Sequence, residues 1–230
     1  MGAADTSLGD DLTLERVGDG AAILRMNNGE NRFTPAVISH LNALLDEALA
    51  DESIGSLIVT GSGKFFSNGF DITALSDAGN KALAFVGTME KLWARLLAAP
   101  FTVVTALNGH AFGAGAMLAL AGDLRIGRTE RGFWCLPEAD LGMPFSPGMM
   151  ALFADVLGRP AASRLMVTAE RLPPEQQLTA GVVHQLVSED DLLTTAVGVA
   201  RAAAGRRGNN LGRIKSLLHA EAIALAGRSV

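Results

Sequence analysis

The chain has 230 residues, of which 49% are hydrophobic and 19% charged, as is typical of one well-buried domain with room for a small helical appendage. Its net charge of −5 and its aromatic share of 5%, with no Tyr, argue against nucleic-acid binding, because phosphates attract clustered Lys and Arg and bases stack on aromatic rings. The single cysteine, Cys135, excludes a disulfide within the chain and a thiol cluster for a metal, and it fits a reducing setting.

The N-terminal segment and the longest apolar run bear on where the protein resides. Residues 1–10 are small and polar, so we expect them to be disordered. They contain neither a basic residue nor an apolar stretch, and we expect no secretory signal. The longest apolar run, about residues 111–121, is too short and too rich in glycine to span a bilayer. We therefore predict a cytoplasmic protein with no membrane partner.

Strands and helices alternate along the first two thirds of the chain. Apolar segments predict strands over residues 12–17, 21–26, 56–60, 101–107 and 124–127. Gly18-Asp19-Gly20 joins the first two strands in a hairpin, since Asp-Gly suits a tight turn. Helices are predicted from Thr34 and Pro35 to about residue 48, over about 81–99 and over about 115–121.

Helical patterns dominate the last third of the chain. The sequence becomes helical after Glu138, where several prolines separate short helices, and residues 190–226 are predicted to be further helices. Alternating strands and helices followed by helices alone predict an α/β fold of stacked ββα units with a helical C-terminal part. No repeat, linker or low-complexity segment is evident.

Two glycine-rich turns carry the first functional signal. In the first, Asn68-Gly69 favours positive φ, which can leave the N–H of Phe70 pointing at a ligand. The second, residues 109–115, precedes a helix whose first N–H groups lack internal partners and whose dipole favours negative charge. Two such N–H groups aimed at one carbonyl form an oxyanion hole. Either turn alone is more simply a tight strand–helix connection, and neither fits the dinucleotide or P-loop pattern.

Three stretches together resemble a known family. FSNGFDI (66–72), ALNGHAFGAG (106–115) and LPEADLG (136–142) are similar, in order and spacing, to motifs of the enoyl-CoA hydratase/isomerase (crotonase) superfamily. The resemblance covers about residues 12–188. It implies a crotonase (ClpP-like) spiral over residues 11–188, followed by a C-terminal helical segment, 189–230, for trimerisation or active-site cover. It also implies homotrimers, often paired as hexamers.

The resemblance implies a catalytic site for an acyl-CoA thioester. The two oxyanion N–H groups would belong to Phe70 and Ala114, and the catalytic carboxylate would be Glu138. Hydratases of the family carry a second glutamate at the position of Met117, and the dienoyl-CoA isomerase branch carries an Asp at the position of Ser146. One glutamate suffices to move a proton from C2 to C4, whereas hydration requires activating a water molecule, for which two acids serve well.

These observations favour one reaction and leave others open. We expect a Δ3,Δ2-enoyl-CoA isomerase of fatty-acid β-oxidation, with enoyl-CoA hydratase or another crotonase activity as an alternative, and a non-catalytic acyl-CoA binder as another. On spacing alone, Glu138 after Pro137 reads as a carboxylate that opens a helix, so its catalytic role rests on the resemblance. No metal or redox cofactor is implied, because coenzyme A is part of the substrate.

Further residues are predicted to contact the substrate. Arg32 and Lys64 are candidates for the CoA phosphates, although each could be an ordinary solvated charge. The other candidates are Ser67, Asn68, Gly69, Asp71, Ile72, Gly113, Met117 and Leu141. Asp71 is also a candidate for stabilising the turn, and His110 is predicted to be a packed histidine. Several methionines could line an acyl pocket or belong to the core, the core being favoured for Met150.

Overall fold

The structure is a computed structural model that describes residues 11–228. Residues 1–10, for which we predict disorder, lie outside the described residues, as do residues 229 and 230. The strands of the described part are β1 (Leu12–Arg16), β2 (Ala21–Met26), β3 (Ser56–Gly61), β4 (Phe65–Ser67), β5 (Thr102–Leu107), β6 (His110–Phe112), β7 (Leu124–Arg128), β8 (Trp134–Cys135) and β9 (Gln185–Val187). Its α-helices are α1 (Pro35–Ala50), α2 (Ile72–Asp77), α3 (Ala82–Leu97), α4 (Ala114–Leu120), α5 (Pro147–Leu157), α6 (Arg159–Thr168), α7 (Pro174–Thr179), α8 (Glu189–Ala204), α9 (Asn209–Leu218) and α10 (Ala220–Leu225).

A large sheet has the strand order β1-β2-β3-β5-β7-β9. Strand β1 is antiparallel to β2, and all other neighbours are parallel. Every residue of β3 and β5 is buried, as is typical of parallel strands that are covered on both faces. The predicted hairpin is confirmed, since Leu12 pairs with Met26 and all three turn residues have positive φ. The five predicted strands are confirmed, with their ends shifted by one residue at most.

A second, smaller sheet repeats the same connection along the chain. Strands β4, β6 and β8 pair in parallel, and each follows a strand of the large sheet after a short connection. The chain therefore forms successive β3-β4-α2, β5-β6-α4 and β7-β8-α5 units, and the predicted stacking of ββα units is confirmed. These short strands escaped prediction because two or three residues show no alternation, and β6 lies inside the predicted glycine turn.

The helix boundaries follow local capping where it is strong. Thr34 caps α1 as predicted, with its Oγ1 accepting a hydrogen bond from the N–H of Val37 at 3.2 Å. The predicted helix directly after Glu138 is wrong, because Gly142 has a φ of 66° and Pro144 removes an amide donor. Residues 137–142 instead form consecutive turns, and the next helix begins only at Pro147. The short helix α2 was not predicted.

Apolar clusters cover both faces of the large sheet. On one face, Ile58 and Val104 pack with Leu192 and Ala196 of α8. The larger cluster, on the other face, includes residues of α1, α3, α4 and α5. Helix α10 packs against α5 and α3, which brings the C-terminal segment beside the first half of the fold. The division of the chain at residues 188 and 189 stays a prediction.

Three features of residues 11–228 concern membranes, metals and thiols. None of the helices in this range is long and apolar enough to cross a membrane. No group of three or more His, Cys, Asp or Glu side chains in the same range is arranged to hold a metal ion. The thiol of Cys135 is free and buried.

Candidate active site

The first glycine turn is held by side-chain and backbone hydrogen bonds. Ser67 donates its hydroxyl to the carbonyl of Asn31 at 2.6 Å and accepts from the N–H of Gly69 at 3.1 Å. Phe33 donates its N–H to the carbonyl of Gly69 at 2.8 Å, and Gly69 has a φ of 80°. The N–H of Phe70 donates to no other group within residues 11–228. The turn therefore leaves this one donor available to a ligand.

The second glycine turn touches the first. Its Gly113, with φ 50° and ψ −122°, immediately precedes α4, so the N–H of Ala114 is the first of the helix and donates to no other group within the described residues. A Cβ atom added to Gly69 would lie 2.7 Å from the carbonyl oxygen of Phe112 and 3.3 Å from the nitrogen of Ala114. Only glycine at position 69 permits this approach, which brings the two free N–H groups to one place.

A cavity of about 310 Å³ opens where the two turns meet. All three residues predicted to be catalytic line it: Phe70, Ala114 and Glu138. Six predicted substrate contacts line it too: Arg32, Asn68, Gly69, Ile72, Gly113 and Leu141. The cavity therefore brings together motifs that are about 70 positions apart in the sequence.

Four predicted substrate contacts do not line this cavity. Ser67 is buried beneath the turn that it fixes. Asp71 caps α2 by accepting a hydrogen bond from the N–H of Ala74 at 2.8 Å, in agreement with the turn-stabilising interpretation. The ammonium group of Lys64 lies 5.4 Å from the centroid of the Phe65 ring. Met117 is 1% exposed and packs in the hydrophobic core.

Glu138 is the buried carboxylate of the cavity. Its side chain is 8% exposed, and its Oε2 has no hydrogen-bond partner within residues 11–228. Burial raises the pKa of Glu138 to about 7, since desolvation disfavours the charged form, while a hydrogen bond with its own backbone opposes the shift. A carboxylate with this pKa can both take up and release a proton near neutral pH.

A second cavity of about 170 Å³ adjoins the first. Phe70, Glu138 and Met143 line both cavities, so Glu138 stands between them. Met149 lines the second cavity as well. Met150 is 51% exposed, and the prediction that it belongs to the core is wrong because it occupies the outward face of α5. The second cavity is largely apolar and suits an acyl chain.

Two cationic side chains line the first cavity. Arg32 donates to Glu30 Oε2 at 2.8 Å, and Asn68 donates to the same oxygen at 2.9 Å. Both hydrogen bonds lower the pKa of Glu30, and the one from Asn68 has the larger effect. Arg171 was not predicted, and its guanidinium carbon lies 5.8 Å from the centroid of the Phe112 ring. Arg171 lies in none of the three motifs. It is brought to the cavity because its neighbour Leu172 pairs with Trp134.

His110 is a packed histidine, as interpreted from the sequence. Its ring stacks on those of Phe112 and Phe133, at centroid distances of 5.4 and 5.7 Å. Its Nδ1 accepts a hydrogen bond from the N–H of Phe133 at 3.0 Å. Burial, followed by the positive charge of Lys64, lowers the pKa of His110. The lowered pKa favours the neutral ring, and the ring does not line the cavity.

Comparison with known proteins identifies the class to which this cavity and fold belong. Residues 17–227 match the enoyl-CoA hydratase/isomerase family. The chain belongs to this family, and the resemblance inferred from the three motifs is confirmed. The match extends beyond residue 188 and so includes the C-terminal helices.

Individual relatives are similar over nearly the whole chain. Enoyl-CoA delta isomerase 3 of Arabidopsis thaliana is 34% identical over 205 residues, which cover 86% of each chain. The peroxisomal enoyl-CoA delta isomerase 2 of the same plant is 33% identical over 94% of this chain and 95% of its own. The solved apo structure of an enoyl-CoA isomerase from Mycobacterium tuberculosis is 28% identical, with a TM-score of 0.87 over 95% of both chains. These similarities confirm the crotonase fold.

Proposed function

We propose that the protein isomerises 3-enoyl-CoA thioesters to 2-enoyl-CoA thioesters. One observation carries the proposal: the buried carboxylate of Glu138 lines the same cavity as the N–H groups of Phe70 and Ala114. Within residues 11–228, Oε2 of Glu138 has no hydrogen-bond partner and the two N–H groups donate to no other group. A proton acceptor and an oxyanion site side by side are what a proton shift next to a thioester carbonyl requires.

The proposed reaction is a proton transfer within one molecule. Ionised Glu138 takes a proton from C2, and the electrons of that C–H bond move into a dienolate whose negative charge rests on the thioester oxygen. The N–H groups of Phe70 and Ala114 stabilise this oxygen, and one such donor contributes roughly 3 kcal/mol to a transition state. Glu138 then returns the proton at C4, so that the double bond moves from C3–C4 to C2–C3 and no atom is gained or lost.

The alternative is hydration, which requires a positioned water molecule. The family comprises hydratases as well as isomerases. Met117, at the position where hydratases carry their second glutamate, is buried in the core and can neither donate nor accept a strong hydrogen bond. This favours isomerisation over hydration. A non-catalytic acyl-CoA binder is disfavoured by the raised pKa of Glu138, which is useful for proton transfer and costs stability.

The remaining parts of the proposal concern binding and context. Arg32 and Arg171 line the cavity and are proposed to attract the CoA phosphates, and the apolar second cavity is proposed to hold the acyl chain. The reaction needs no metal or redox cofactor. The role in fatty-acid β-oxidation, the homotrimer or hexamer and the cytoplasmic location stay predictions from the family resemblance and from the sequence.

Purified protein incubated with 3-hexenoyl-CoA or 2-hexenoyl-CoA tests the proposal. We expect the absorbance of the conjugated enoyl thioester to rise with the first substrate, without a change in mass, and the Glu138→Gln variant to lose this activity while still binding CoA esters. Addition of water to 2-hexenoyl-CoA as the main reaction would instead support the hydratase. Binding without turnover of either substrate would support the acyl-CoA binder.

A further inference from the structure

The C-terminal segment of the chain forms part of the wall of the second cavity. Glu90, Ser146, Gly227 and Arg228 line this cavity but not the first one, which contains the oxyanion site. We infer that Glu90 and Ser146 hold residues 225–228 across the end of the second cavity that lies away from the oxyanion site. These four residues, here called the C-terminal clip, set the length of acyl chain that the protein accepts. The inference rests on the proposed function, since it assumes that the acyl chain occupies the second cavity.

The hydrogen bonds of Glu90 are the first argument for the clip. Glu90 lies on α3 and is only 2% exposed. Its Oε1 accepts from the hydroxyl of Ser146 at 2.5 Å, and its Oε2 accepts from the N–H of Gly227 at 2.7 Å. Within residues 11–228 it forms no ion pair. A buried carboxylate is costly unless donors satisfy it, so these two donors tie the C-terminal segment to α3 and to the start of α5.

The packing of glycines around this carboxylate is the second argument. A Cβ atom added to Gly148 would lie 2.7 Å from Glu90 Oε2 and 3.1 Å from the Cα of Ala226. A Cβ atom added to Gly87 would lie 3.4 Å from the Cα of Gly227, which itself has a φ of 72°. Backbone thus meets backbone where α3, α5 and the C-terminal segment join. The C-terminal segment therefore packs closely against α3 and α5, and an added methyl group at position 148 would displace it.

A different role for Glu90 is a second acid or base of the reaction. Glu90 and Glu138 line the same cavity, so this role makes a distinct prediction. Both oxygens of Glu90 already accept hydrogen bonds, whereas Oε2 of Glu138 accepts none within the described residues. This difference favours the clip, and loss of turnover with short and long substrates alike in Glu90→Gln would overturn it.

Chain-length dependence reports on the clip directly. Each methylene group buried in an apolar cavity contributes about fourfold in affinity, equivalent to about 0.8 kcal/mol. Affinity is expected to rise by this factor per carbon until the chain reaches residue 227 and then to level off. When the C-terminal segment is loosened, the rise should continue to longer chains.

The experiment measures binding of saturated acyl-CoAs, from butanoyl to hexadecanoyl, by calorimetry, together with kcat/KM for 3-enoyl-CoAs of the same lengths. The variants are Glu90→Ala, which removes the fastening, and Gly148→Ala, which displaces the segment and keeps every polar group. The control is Gly198→Ala on α8, where an added Cβ meets no atom within 4 Å. Thermal melts show which variants are folded.

We expect Glu90→Ala and Gly148→Ala to bind the acyl-CoA two carbons beyond the wild-type limit about 16-fold more tightly, relative to hexanoyl-CoA, than the wild type does. Gly198→Ala should keep the wild-type profile. An unshifted profile in folded variants, an equal change at every length, or no binding of acyl-CoA by the wild type would overturn the inference. Because saturated ligands need no turnover, a shifted binding profile in a protein that isomerises nothing would refute only the proposed reaction.

Discussion

The carboxylate of Glu138 lies against the backbone of Gly113: a Cβ atom at position 113 would lie 3.3 Å from Oε1 of Glu138. The same glycine immediately precedes α4, where Ala114 presents its free N–H to the cavity. The proposed base and one proposed oxyanion donor are therefore positioned by a single stretch of backbone. A shift of this backbone would displace both groups. The rate would then fall, because the reacting atoms of a proton transfer must be aligned.

A Gly113→Ala variant tests this coupling. The added methyl group crowds Oε1, and a displacement near 1 Å can reduce a rate about 100-fold, so we expect kcat/KM for 3-hexenoyl-CoA to fall by about 10- to 100-fold. The matched control is Gly29→Ala, which also has a positive φ, 56°, but whose added Cβ would meet no atom within 4 Å. It shares the positive φ and should keep the activity. Equal losses in the two variants would show that a methyl group at a positive φ, rather than contact with Glu138, is responsible.

The pKa of Glu138 predicts the pH dependence of catalysis. Since burial raises this pKa to about 7 and the base must be ionised, kcat/KM should rise about tenfold per pH unit below 7 and level off above it. The initial rate with 3-hexenoyl-CoA, measured from about pH 5 to about pH 9, gives this profile. A rate that stays constant down to pH 5 would mean that the carboxylate has an ordinary pKa in the free protein.

The parts of the site that lie within one motif were predictable, and the parts that depend on packing between motifs were not. Phe70 and Ala114 each follow a glycine-rich turn whose chemistry is local. The roles of these two residues and of Glu138 were predicted from the resemblance of the three motifs to the family. Whether Met117 faces the cavity depends on which side of α4 packs inward, and every residue of that helix is buried. Arg171 enters the site only through the pairing of Trp134 with Leu172, for which the sequence shows no periodic signal.

The raised pKa of Glu138 also predicts a cost in the stability of the fold that appears as the pH rises. A pKa raised above the ordinary value of 4.5 means that the folded state holds a proton that the unfolded state releases, so Glu138 destabilises the fold as the pH passes from about 4.5 to about 7. Glu138→Gln should therefore raise the free energy of unfolding by about 3 kcal/mol at pH 8 and by little at pH 4.5. Urea denaturation at both pH values measures this, with Asp140→Asn, at an exposed neighbour, as the control. A gain that is independent of pH would contradict the explanation.

Replacing Met117 with glutamate should not create a hydratase. Met117 is 1% exposed and lies in the hydrophobic core, so Met117→Glu would bury a carboxylate among apolar side chains. We expect a loss of roughly 3–5 kcal/mol of stability, and no addition of water to 2-hexenoyl-CoA. Met117→Leu, with similar volume, should cost less than about 1.5 kcal/mol. A stable Met117→Glu protein that hydrates 2-hexenoyl-CoA would show that this side chain reaches the cavity after all.

Arg171 should contribute more to CoA affinity than Arg32, although of these two residues only Arg32 was predicted from the sequence to bind the CoA phosphates. Arg32 is neutralised in part by its ion pair with Glu30, whereas within residues 11–228 Arg171 has no carboxylate partner. We expect Arg171→Ala to weaken binding of hexanoyl-CoA by about tenfold at low salt, with a smaller effect for Arg32→Ala, since a hydrogen bond to a charged group contributes about 1.5–3 kcal/mol. Calorimetry at two salt concentrations measures both, and the difference should narrow as salt screens the charges. Arg159→Ala, which removes an exposed charge away from the cavity, is the control for net charge, and an equal loss there would refute a specific role for Arg171.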